Sequence, residues 1–76
     1  MYRLIKTKII LCGFSLVEFA EDNGISYDKL NRKLSGKTKI NIDDIEMFRT
    51  KLNLTQEEII EIFFPEWLQN MQQNNQ

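Results

Sequence analysis

Residues 15–36 read SLVEFAEDNGISYDKLNRKLSG, and their order of residue types dictates two short helices around a tight turn. Ser15 with Glu18 three positions on is a capping box, so a helix starts at Leu16 and runs to about Asn23. Gly24 supplies the left-handed backbone that a sharp reversal needs and that other residues adopt only at a cost. Ile25 points inward and pins the turn, and Ser26 caps a second helix from Tyr27 to Ser35, stopped by Gly36. Ala20, four positions before Gly24, must be small because the second helix crosses close to the first. The outcome is a pair of helices fixed at one angle, with the second free to face outward.

Helical signals continue on both sides of this pair. Leu4, Ile5 and Ile9 have helical spacing and predict a first helix over Tyr2–Cys12, with Arg3, Lys6 and Lys8 largely outside. Gly13 ends it. Asn41 is the expected cap of a fourth helix, Ile42–Leu52, whose stripe is Ile42, Ile45, Phe48 and Leu52; Asp43 and Asp44 suit its first turn. Thr55 with Glu58 is a second capping box and opens a fifth helix buried through Ile59, Ile62 and Phe63. Pro65 breaks the pattern or starts a short sixth helix through Leu68. The amide-rich segment 69–76 lacks caps and is expected to fray at its end. No strand pattern or internal repeat occurs. The reading is all-α: one five-helix domain over residues 1–64 and an extension over 65–76. Its expected core is Ile5, Ile9, Phe19, Ala20, Ile25, Leu30, Leu34, Ile45, Phe48, Leu52, Leu54, Ile59 and Ile62.

Composition removes several classes of function. The 76 residues include one cysteine and no histidine, which excludes an intrachain disulfide framework and leaves no Cys/His set for a metal. Cys12 is expected as a small buried hydrophobe, and a free thiol suits a reducing, cytoplasmic setting. No run approaches the ~20 apolar residues of a membrane span, and no cleavage-site pattern follows the N-terminus. Neither a nucleophile with a base partner nor a Gly-rich phosphate loop is present, so the chain reads as a non-enzyme without cofactors. The net charge of −1 hides an uneven distribution. Residues 1–41 sum to +4 and residues 42–76 to −5, and Lys29, Arg32, Lys33, Lys37 and Lys39 fall in a stretch with no acid. Local field, rather than total charge, governs contact with phosphates at a Debye length of about 8 Å.

Phe19-Ala20, Asn23-Gly24-Ile25-Ser26, Leu30, Arg32–Lys37 and the later Leu52–Thr55 with Glu57-Glu58-Ile59 carry a resemblance. From about Leu4 to Phe64 the chain resembles the Cro/C-repressor helix-turn-helix family (xenobiotic-response-element type, lambda-repressor-like), in particular its small phage-type regulators. The resemblance implies a sequence-specific DNA-binding regulator whose third helix enters the major groove of an operator. It places base-reading slots at Tyr27, Asp28 and Arg32, with Asn31 and Ser26 beside them. It assigns Lys37, Thr38 and Lys39 to the sugar-phosphate backbone, with Ser26, Lys29 and Lys33 as further backbone candidates. Where family members commonly place a phosphate-anchoring glutamine this chain has Leu16, which is expected to add exposed apolar surface. Asn23 stands where many members are apolar.

The chemistry of these side chains fits such a role. Arg32 offers two donors to guanine O6 and N7, Asp28 accepts from a cytosine amino group, and Tyr27 suits a thymine methyl or a phosphate. Asp28 and Arg32 are also spaced for an i,i+4 ion pair. One such domain covers one half-site, so a homodimer on double-stranded DNA is expected. Phe64, Trp67 and Leu68 are the dimer candidates; alternatively, Trp67 folds back to close the monomer core. No membrane partner and no small-molecule ligand are expected. The competing reading is a protein-binding module that sequesters a host or phage protein.

Overall fold

A computed structural model describes residues 2–67 and is all-helical. The helices are α1 (Arg3–Leu11), α2 (Leu16–Asp22), α3 (Tyr27–Ser35), α4 (Ile42–Leu52) and α5 (Gln56–Phe63). A further helical segment occupies 65–67. The expectations for the extension beyond it, Leu68 included, lie outside the described residues.

Local chemistry sets each boundary. Both sides of the capping boxes at Ser15/Glu18 and Thr55/Glu58 are made. Asn41 accepts the Asp44 N–H at 2.8 Å, and Asp44 in return accepts the Asn41 N–H at 3.0 Å, a third box. Helices α1 to α4 stop on left-handed residues: Gly13, Gly24, Gly36 and Asn53 have positive φ. Following each, a backbone N–H reaches back five residues: Phe14 to Ile9, Ile25 to Ala20, Lys37 to Arg32 and Leu54 to Arg49. This is the Schellman closure of a helix end. A Cβ on Gly24 would meet nothing within 4 Å, so its φ of +70°, not crowding, demands glycine there.

The core forms where α1, α2, α3 and α4 converge. Ile5, Ile9, Phe19, Ala20, Leu30, Leu34, Phe48, Leu52 and Leu54 are buried. Phe19 stacks on Phe48 with centroids 5.9 Å apart, and Phe14 meets Phe19 edge-on at 5.7 Å. Ala20 is 1% exposed at the α2–α3 crossing, as its size requires. The other expected core residues are less covered. Ile25, Ile59 and Ile62 pack half-buried against the cluster. Ile45 is half-buried too, and Met47 rather than Ile45 lies against the cluster.

Four expectations are corrected. Ile42 is 71% exposed, because the first residue of α4 precedes the turn that meets the core. Leu4 is 47% exposed, so the α1 stripe reduces to Ile5 and Ile9. Cys12 is exposed, because it forms the C-cap where α1 leaves the core. Leu16 is half-buried and packs on the core instead of adding exposed surface. Asn23 keeps its slot by a different contact: its Nδ2 donates to the Phe19 carbonyl at 2.8 Å.

Among the described residues, no helix is long and apolar enough to cross a membrane.

Candidate nucleic-acid interface

The α3 sequence Tyr-Asp-Lys-Leu-Asn-Arg-Lys-Leu-Ser buries Leu30 and Leu34 and turns Asp28 and Arg32 to the opposite side, at about 100° per residue. Ser26 Oγ accepts the Lys29 N–H at 3.1 Å and fixes the start of the helix. Ser26 itself is exposed. The Asp28 and Arg32 side chains form the i,i+4 pair at 3.1 Å while remaining 73% and 62% exposed. Tyr27 is 46% exposed, and Asn31 is half-buried on one flank. All four expected base-reading side chains therefore lie on one helix, and two of them share its outermost line.

The loop behind this helix is tied to it chiefly through the Arg32 carbonyl. The Arg32 carbonyl accepts from Ser35 Oγ at 3.1 Å, Lys37 N–H at 3.0 Å and Thr38 N–H at 3.2 Å. Lys37, Thr38 and Lys39 are exposed on the short segment that follows. Among the described residues, Lys29, Lys37 and Lys39 have no carboxylate partner. Three ammonium groups without a carboxylate partner among the described residues are thus carried by α3 and the segment that follows it.

Lys33 departs from its expected role as a backbone contact. It is buried, and its Nζ lies 2.5 Å from Asp44 Oδ2 on α4. The reason is angular: Lys33 follows Leu30 by three residues and precedes Leu34 by one, which puts it on the inner flank of α3. That spacing was readable in the sequence. Its partner Asp44 was legible only as a first-turn acid of α4, because its place against α3 depends on tertiary packing.

Arg3 lies outside the α1 stripe, as its spacing predicts. It is exposed and unpaired among the described residues. Its neighbour Tyr2 donates its N–H to the Leu34 carbonyl at 2.9 Å, which brings the start of α1 to the end of α3.

The α5 end of the chain is acidic and aromatic. Phe64 and Trp67 are 43% and 57% exposed and line an open hollow of about 650 Å³ with Phe63, Pro65 and Glu66. Trp67 does not fold back over the core. The Lys8 ammonium pairs with Glu58. The hydrogen bond from Lys8, supported by the Thr55 N–H, holds the Glu58 carboxyl below the usual range, and the same contact raises Lys8. Glu18 is lowered by the Ser15 backbone N–H.

Comparison with protein-family models, curated proteins and solved structures found no match to this chain.

Proposed function

We propose that this chain is a sequence-specific DNA-binding transcriptional regulator, a repressor of phage or mobile-element type, built on a lambda-repressor-like helix-turn-helix. In this reading α2 and α3 are the two helices of the motif, and α3 enters the major groove of a duplex operator. The observation that carries it is the exposed Asp28–Arg32 line on α3 together with exposed Lys29, Lys37 and Lys39, which have no carboxylate partner among the described residues. Arg32 reads guanine and Asp28 accepts from a cytosine amino group, with Tyr27 and Asn31 at the margins. Lys29, Lys37, Thr38, Lys39 and the Ser26 end of α3 hold the sugar-phosphate backbone and set orientation.

The ion pair between Asp28 and Arg32 does not obstruct this role. An exposed i,i+4 pair is worth about 0.2–0.5 kcal/mol, whereas a bidentate arginine–guanine contact discriminates by about 1–3 kcal/mol. Opening the pair is the smaller term. A homodimer, with Phe64 and Trp67 at its seam, would double the phosphate contacts and match a two-fold symmetric site.

Selection from a random duplex pool tests the proposal. The protein is expected to enrich one motif, with affinity falling by roughly 5 log units per decade of salt for a dimer that uses its six loop and helix lysines. Arg32→Ala should lower discrimination at one base pair by about 1–3 kcal/mol. Lys37→Ala should weaken all duplexes alike and flatten the salt slope by about 0.9 per site. A protein that retains no duplex at low ionic strength defeats the proposal. The exposed Trp67 then favours the second reading, capture of another protein, which Trp67→Ala should abolish.

A further inference from the structure

We infer that Lys33 and Asp44 are a positioning pair that sets the roll of α3 and the place of the phosphate-gripping loop, without touching DNA; this rests on the DNA-binding reading above. Among the described residues Lys33 is the only buried charged side chain, and its carboxylate partner is nearly as covered, with 9% and 15% of the two side chains exposed. The same Asp44 oxygen accepts from Lys33 Nζ at 2.5 Å and from the Asn41 N–H at 3.0 Å. Segment 36–41 is therefore anchored at both ends. Its start hangs from the Arg32 carbonyl, its end is the α4 capping box, and the Lys33–Asp44 strut closes the base between them.

Arg32 adjoins Lys33 in sequence and lies about 100° around the helix from it. A strut at Lys33 therefore fixes the direction in which Arg32 and Asp28 point. A buried ion pair is a weak source of net stability compared with apolar side chains of the same volume. Leu or Met at position 33 would extend the Leu30–Leu34 face, so a charge there is better explained by geometry than by stability.

Three variants test the pair: Lys33→Met, Lys33→Arg and Asp44→Asn, the last of which keeps an oxygen for the Asn41 N–H. Two readouts are used. The first is amide hydrogen exchange of Lys37 and Thr38 in the free protein. The second is binding to the tightest duplex recovered from the random pool, against a scrambled duplex.

Lys33→Met and Asp44→Asn are expected to speed exchange at both amides tenfold or more. They should cut the operator-to-scrambled ratio at least tenfold while leaving the salt slope of the wild type intact. Lys33→Arg should restore both. A slope that drops by about 0.9 per site in Lys33→Met would make Lys33 a phosphate contact and overturn the inference. Unchanged exchange at Lys37 and Thr38 in the folded variants would overturn it too, whether or not the protein binds DNA. Loss of folding in both Lys33→Met and Asp44→Asn would assign the pair to stability and overturn it. If the wild type bound no duplex while the exchange effect appeared, the DNA reading would fail and the strut alone would stand.

Discussion

The α2–α3 pair and the α5 end of this domain use the same capping chemistry and reach opposite degrees of burial. Each opens on a box made by a hydroxyl and a glutamate. Yet α2 and α3 between them bury Phe19, Ala20, Leu30, Lys33 and Leu34, and α5 fully buries no residue. The end carrying α5 is held by the Phe63 ring, 5.8 Å from Tyr2 and 6.2 Å from Phe48, and by the Lys8–Glu58 pair. Caps decide where helices begin; the number of covered apolar atoms decides how firmly they stay. A rigid half suits a surface that must present fixed side chains, and a loosely covered half suits one that gains its remaining burial from a partner.

The largest test of this contrast is a pair of alanine substitutions. Phe19→Ala should cost about 3–5 kcal/mol and unfold much of the population, since its ring is fully covered. Phe63→Ala, at a half-buried ring, should cost about 1–2 kcal/mol. Denaturant titration followed by circular dichroism measures both, and equal losses would erase the distinction drawn between the halves.

Acid provides the next test. Glu18 and Glu58 both lie below their ordinary value of 4.5 in the folded chain. A depressed carboxyl contributes stability that is present above its unfolded value and is lost as pH falls through the lower folded value. Thermal midpoints should therefore hold steady down to about pH 5 and decline below it. Glu58→Gln keeps an oxygen for the cap but removes the pairing with Lys8, so it should shallow that decline. Lys8, raised above 10.5, contributes in the opposite sense: its share is present below that value and vanishes as pH climbs through the folded one. A decline of unaltered depth in Glu58→Gln would show that the α5 end does not depend on this contact.

The smallest expected effect concerns Asn53, the one non-glycine with positive φ among the described residues. Asn53→Gly should raise stability by at most about 1 kcal/mol, the left-handed penalty relieved minus the entropy of a looser unfolded chain. Its gain should appear in the global melt without changing the α2–α3 contacts.

Element positions were legible in the sequence because caps and stops are local. The α3 and α4 boundaries match the spacing-based reading residue for residue, α2 ends one residue earlier, and α1 is one residue shorter at each end. The outward side of α3 was equally legible, since Leu30 and Leu34 fix the helix phase. What was not legible depends on which neighbour covers a helix flank. Cys12, Ile42 and Leu4 look apolar in sequence, yet they sit where a helix end or shoulder has no facing element. Asp44 looks like a first-turn acid of α4 and meets Lys33 only because α4 packs against the inner flank of α3. Those placements are decided by packing between elements far apart in the chain, which periodicity within one helix does not encode.

One carbonyl oxygen ties the end of α3 to the loop that follows it. Because Ser35, Lys37 and Thr38 all bond the oxygen of Arg32, the start of the lysine loop is tied to the residue whose side chain would touch bases. They cannot slide independently. A protein that engages a duplex in this way acts as a gauge of groove width: a helix of the right sequence but the wrong breadth would satisfy one set of contacts and strain the other, so shape becomes a second key beside the letters.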